Sequence, residues 1–176
     1  MGLNESGNVL YLNASCGFLV NKKKEIKARS YTGLLIDLKI EDDEYEGKPI
    51  IKGIIFLKDV DKEGEDEIAH ISFTLESWCG YGFFSRAEKI DLAKKITFGV
   101  SSADQNEKIT FCWIKQGTST VKKDESYPVC EKVIVGKNTV VDWTKFVDAA
   151  KKTMDVIKTK LASNDDVLDD KGNKLF

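Results

Sequence analysis

The sequence predicts a mainly β fold: five core strands, a short helix after the third, and a long amphipathic helix toward the C-terminal end. Three observations carry this. Five segments between positions 31 and 115 are rich in β-branched and other apolar residues, and most alternate apolar with polar. Charged or glycine-containing stretches of turn character separate them. From Trp143 onward the apolar period changes from two to three and four.

Taken in order, residues 31–40 alternate, with Thr32, Leu34, Ile36, Leu38 and Ile40 on one face and Tyr31, Gly33, Leu35, Asp37 and Lys39 on the other. The acidic run 41–46 (EDDEYE) up to Gly47 reads as a turn, and Pro49 opens a second strand over 50–58. Another charged turn, 61–67 (DKEGEDE), leads to a third strand over 68–75, where Ile71, Phe73 and Leu75 share the core face and His70, Ser72 and Thr74 the solvent face. Next comes ESWCGYGFFS, holding Trp78, Tyr81, Phe83 and Phe84 with Gly80 and Gly82 between them. Residues 85–94 have helix-forming composition and predict a short helix. Strands follow over 95–100, with Ile96, Phe98 and Val100 in register, and over 108–115, with Ile109, Phe111 and Trp113 in register, so Trp113 is expected to be buried. A looser segment holds Gly117, Pro128 and the apolar run 133–135. Asp142 is positioned to cap the last helix, on which Trp143, Phe146, Val147, Ala150, Met154, Ile157 and Leu161 form the apolar stripe. Residues 9–20 predict an added strand or two before the core.

At 176 residues the chain suits one domain, expected over 1–162, followed by a flexible acidic tail over 163–176. With 41% hydrophobic and 32% charged residues it buries a real core, roughly two-thirds of its unfolded surface. The longest apolar runs, such as 54–57, fall far short of the ~20 residues of a membrane span, and the N-terminus lacks the basic and apolar regions of a secretion signal. Cys16, Cys79, Cys112 and Cys130 are far apart and form no CxxC pair, which favours reduced thiols and a cytoplasmic setting (the host cytoplasm for a viral protein). No metal site or cofactor is expected, because the one histidine, His70, has no partner at ligand spacing. No nucleotide-binding glycine motif or nucleophile–base pattern occurs either, so no enzymatic activity is expected.

The strand order with its intervening helix is the order of an OB-fold, a five-stranded Greek-key barrel. Over about 29–115 the chain resembles the single-stranded DNA-binding proteins, particularly those of bacteriophages. The ending NDDVLDDKGNKLF, acidic and closing on Phe176, carries the same resemblance. It implies sequence-independent binding of single-stranded DNA in replication or recombination, without catalysis. It also implies a tail, with Asp165, Asp166, Asp169, Asp170 and Phe176, that contacts other replication proteins. The residues themselves suggest how binding would work. Phosphates need cations along a groove, and bases need aromatic faces. Net charge is −2, yet Lys22, Lys23, Lys24, Lys27 and Arg29 cluster into a basic arm. Lys52, Phe56 and Lys58 share a strand face, Tyr31 and Lys39 another, and Trp78, Tyr81, Phe83, Phe84 and Arg86 are expected to complete a stacking platform. The alternative is a viral structural or accessory protein whose aromatic patch docks on another protein; an aromatic cluster between two elements also commonly packs into the core.

Overall fold

The computed structural model describes residues 8–165 and is mainly β, with two helices. Its strands are β1 (Asn8–Ser15), β2 (Phe18–Asn21), β3 (Ile26–Ala28), β4 (Ser30–Tyr45), β5 (Lys48–Val60), β6 (Asp66–Thr74), β7 (Ile96–Ala103), β8 (Asn106–Gln116), β9 (Ser119–Thr120), β10 (Glu131–Val135) and β11 (Asn138–Asp142). Helix α1 (Trp78–Ala87) lies between β6 and β7, and α2 (Thr144–Asp165) ends the described chain. The tail from 166 onward, including Asp166, Asp169, Asp170 and Phe176, lies outside the described residues; Asp165 is the last residue of α2.

Nine strands form one sheet in the order β3-β2-β1-β6-β5-β4-β7-β8-β9, and β10 and β11 form a second, two-stranded sheet. Every pairing in the nine-stranded sheet is antiparallel except that of β1 with β6. The ladder has two ends, β3 and β9, so among the described residues it does not close into the barrel expected from the sequence. It does bend back on itself. β3 and β4 stand five steps apart in the order, roughly 24 Å across a flat sheet. Yet only Arg29 separates them in the chain, a span of at most about 7 Å. The Arg29 carbonyl accepts from Val100 N–H (2.9 Å), tying this junction to β7. Two tight turns set the hairpins at either side: Cys16–Gly17 and Glu46–Gly47 both have positive φ at both residues, the geometry that matches strand twist.

The inner face of the curled sheet is closed by the helices. Leu35, Leu38, Ile55, Leu57, Ile71, Phe73, Phe98 and Ile114 meet Phe83 and Phe84 of α1 and Phe146 and Ile157 of α2 in one core. The aromatic stretch itself is α1, and the expected helix over 85–94 is displaced toward it. Ser77 starts it: its Oγ accepts from Gly80 N–H (3.2 Å) and donates to the Thr74 carbonyl (2.6 Å). Gly80 and Gly82 do not bend the backbone outward. They let the helix approach its neighbours, since a Cβ at Gly80 would collide with the Leu75 carbonyl and one at Gly82 would press on the Cys112 sulfur.

Two strands differ in phase from the sequence expectation. In β4 a bulge between Leu35 and Asp37 shifts the register, so Leu35 and Leu38 both face the core although an odd number of steps separates them. In β8 the core-facing residues are Cys112 and Ile114, and Trp113 lies half-buried on the opposite face. Trp113 stands opposite Gly99, whose missing side chain leaves room for the indole. Asp142 stands one residue before the cap position of α2, which is Trp143, whose carbonyl accepts from Val147 N–H (2.9 Å); the Asp142 carboxylate accepts from Thr144 N–H (2.9 Å) and Thr144 Oγ1 (2.6 Å).

Candidate functional site

The outer face of the sheet carries two buried apolar side chains, Ile54 and Phe56, that take no part in the core. They form a floor. The pairing registers place His70 of β6 directly beside Phe56 of β5 and beside Tyr11 of β1, so three rings from three strands lie in one row. Ring centroids are 4.9 Å apart for Phe56 and His70 and 5.0 Å for Tyr11 and His70. Tyr11 is 57% exposed. The Lys39 ammonium lies 5.4 Å from the Phe56 ring, on the far side of the row from Tyr11. The next row is Lys39–Ile54–Ser72–Asn13–Val20–Lys27, one residue from each of six strands with a lysine at either end. Along the sheet it measures about 24 Å.

The turn between β2 and β3 stands beside this floor. Asn21 fixes its base, donating to the Tyr11 carbonyl (2.8 Å) and accepting from Lys24 N–H (3.0 Å). Turn and floor enclose a groove of about 560 Å³ lined by Lys22, Lys23, Lys24, Lys52, Tyr11, His70, Ile54 and Glu41, among others. Its four lysines face one carboxylate, in a chain whose net charge is −2. Lys22, Lys23, Lys24 and Lys39 make no ion pair among the described residues, whereas Lys52 pairs with Asp43. Burial holds the His70 pKa below its ordinary value; Glu41 opposes this, and Lys39 and Lys52 reinforce it. At neutral pH His70 is therefore an uncharged ring between two others.

Of the residues expected at the site, the structure brings Lys22, Lys23, Lys24, Lys39, Lys52 and Phe56 together. Lys27 and Arg29 sit at the edge of the same face, with Lys27 Nζ 4.1 Å and the Arg29 guanidinium 3.8 Å from the Phe18 ring. Arg29 also donates to the Gly17 carbonyl (2.9 Å). Lys58 shares the strand face but is paired with Asp66 (3.7 Å).

Tyr31 is not there. The β4 bulge puts it on the face opposite Lys39, opposite Phe98 of the core, with its hydroxyl donating to Glu67 (2.9 Å) and its pKa raised by burial and by that carboxylate. The expected platform of Trp78, Tyr81, Phe83, Phe84 and Arg86 does not form. Phe83 (0% exposed) and Phe84 (1%) are core: adjacent helical residues point about 100° apart, but α1 is buried around most of its circumference and both directions meet the core. Tyr81 is half-buried against Phe146, and Trp78 alone of the four is exposed, at 39%. Arg86 is spent on backbone, donating to the Val121 carbonyl (3.1 Å) and the Gly82 carbonyl (2.8 Å).

Sequence reasoning missed Tyr11, Asn13 and the role of His70. The available signal was the placing of His70 and Ser72 on a polar strand face; what was lacking was the partner of that strand, since β1 reaches β6 from more than fifty residues away. No protein-family model, curated protein or solved structure matches this chain. Among the described residues no helix is long and apolar enough to cross a membrane.

Proposed function

We propose that this protein binds single-stranded DNA without sequence preference, across the outer face of β1, β6 and β5. One observation carries the reading: the Tyr11–His70–Phe56 row lies on one open face with lysines 22–24 and 39, which make no ion pair among the described residues. Rings stack on bases, and the cations neutralise phosphates. The OB-fold reading supports the same location. The five strands β6-β5-β4-β7-β8 are paired in the order that fold requires, α1 lies between the third and fourth, and OB-folds bind oligonucleotides on their second and third strands, here β5 and β6. On this reading β1 occupies the edge of β6 where the barrel would otherwise close. The protein acts in replication or recombination without catalysing a reaction, inside the cell that makes the DNA. Its acidic tail, Asp165 to Phe176, contacts replication proteins.

A second reading, a protein-interaction module, is favoured by the β10–β11 hairpin. All ten of its strand residues are exposed, with Ile134 at 79%. An isolated two-stranded hairpin is marginally stable in water and gains from a partner.

Fluorescence anisotropy of a labelled oligonucleotide decides between them. The expected result is binding of the single strand, with the duplex of the same sequence much weaker, and a clear loss on Tyr11→Ala. Preference for duplex removes the single-strand reading, and no binding of either form leaves the hairpin.

A further inference from the structure

Where the groove passes Asn13 and Lys52 it does not end. A second cleft of about 830 Å³ shares Asn13, Val20, Lys22, Lys52 and Ser72 with it. The cleft continues between the β6 end and the start of β8 to Lys108, Thr110, Trp78 and Trp143. The two depressions are thus one path with a common stretch of wall. Three lysines line the second part, Lys22, Lys52 and Lys108, against one carboxylate, Glu76.

Its far end is aromatic and firmly held. Trp78 stands at the first position of α1, fixed there by the Ser77 cap. Its ring meets Trp143 edge to face at 5.7 Å, Tyr81 at 6.0 Å and Phe111 at 6.4 Å. Trp143 is in turn braced by Phe146 at 5.5 Å, a fully buried core residue. A ring held from several sides yet 39% exposed offers its free surface without losing side-chain freedom on binding.

Resting on the reading of the preceding section, we infer that Trp78, with Trp143 behind it and Lys108 across the cleft, is a second base-stacking subsite. It takes nucleotides that have already crossed the Tyr11–His70–Phe56 row. The occupant is the same single strand, because the cleft is continuous with the groove, shares its Lys22 and Lys52, and adds Lys108 beyond them. Two subsites on one path make the second contact intramolecular, so affinity rises in a step once the strand is long enough to reach both.

The test is a series of oligothymidylates of 3 to 12 nucleotides, titrated against the full chain and its variants by anisotropy. Wild type is expected to show a step in affinity with length. Trp78→Ala is expected to lower affinity for the longest strand about 5- to 140-fold, the worth of one stacked base, and to leave the shortest within about twofold. Lys108→Glu, at an exposed strand position, is the second variant. It is expected to reduce the long-strand affinity and flatten its log–log salt slope by at least ~0.7, the contribution of one phosphate, without changing the short-strand value. Tyr11→Ala is expected to weaken every length. An affinity that rises smoothly past the shortest strands, or a Trp78→Ala and Lys108→Glu pair that binds all lengths like wild type, overturns the subsite alone. A wild-type chain that binds no oligothymidylate overturns the subsite and the function it rests on together.

Discussion

Two aromatic groups in this protein invite opposite expectations. Residues 78–84 pack four rings into seven positions, while Tyr11, Phe56 and His70 are scattered over sixty. The dense group supplies core: α1 turns Phe83 and Phe84 inward and leaves only the edge residue Trp78 well exposed. The sparse group becomes a surface, because three strands bring one ring each to the same row. The difference lies in what each secondary structure does to sequence neighbours. A helix keeps sequence neighbours within one short element, and α1 is buried around most of its circumference, so Phe83 and Phe84 enter the core together. A sheet gathers residues that are remote in sequence, so a row across several strands has no local signature.

Substitutions at the two groups should separate stability from binding. Phe83→Ala and Phe84→Ala are each expected to cost on the order of 3–5 kcal/mol of stability, as for buried phenylalanines generally. Their DNA affinity should change no more than the unfolded fraction explains. Tyr11→Ala is expected to cost little stability and about 1–3 kcal/mol of single-strand binding. Denaturant melts and anisotropy on the same three variants check this; a phenylalanine variant that stays folded and loses affinity would break the contrast.

The cationic side of the surface is sharpened by salt. Replacing Lys22, Lys23 and Lys24 with glutamine is expected to reduce the slope of log affinity against log salt by about 2, three phosphates at roughly 0.7 each. Thermal stability should hardly move, since all three side chains are exposed and make no ion pair among the described residues. An unchanged slope would mean the turn does not touch the strand.

The smallest effect is that of His70. Burial lowers its pKa in the folded chain, so the unfolded chain takes up a proton first as the pH falls. Stability is therefore expected to be full above about 6.5, the unfolded value, and to decline as the pH drops from there toward the lower folded value. Bound DNA favours the imidazolium, so saturating single strand should shrink that decline. His70→Gln should remove both the decline due to this group and its response to DNA. Melting curves from pH 5 to 8, with and without oligonucleotide, read this out, and an acid limb identical in His70→Gln would exclude His70 as its source.

Much of the fold was readable from period alone. The core segments near 31–40, 50–58, 68–75, 95–100 and 108–115 are all strands, the N-terminal stretch is a hairpin, and the apolar stripe that begins beside Trp143 is a helix. What went astray has a common cause. Alternation gives two phases, and apolar side chains alone do not choose between them in β8, where Ile109, Phe111 and Trp113 are as apolar as Cys112 and Ile114. Nor does alternation reveal the bulge that separates Tyr31 from Lys39. The hairpin of β10 and β11 was visible only as the apolar run 133–135, because none of its strand residues is buried and no alternation marks a core face.

By itself, then, the sequence determined the element types and the positive turn at residues 22–24, since hydrophobic period and charge are local properties of the chain. Only the tertiary structure decided where that turn would act. The parallel pairing of β1 with β6 sets Tyr11 beside His70, and the curl of the sheet carries β3 back to the start of β4. Both follow from hydrogen-bonded partners tens of residues apart, a choice made by packing over the whole core and written in no single stretch of residues.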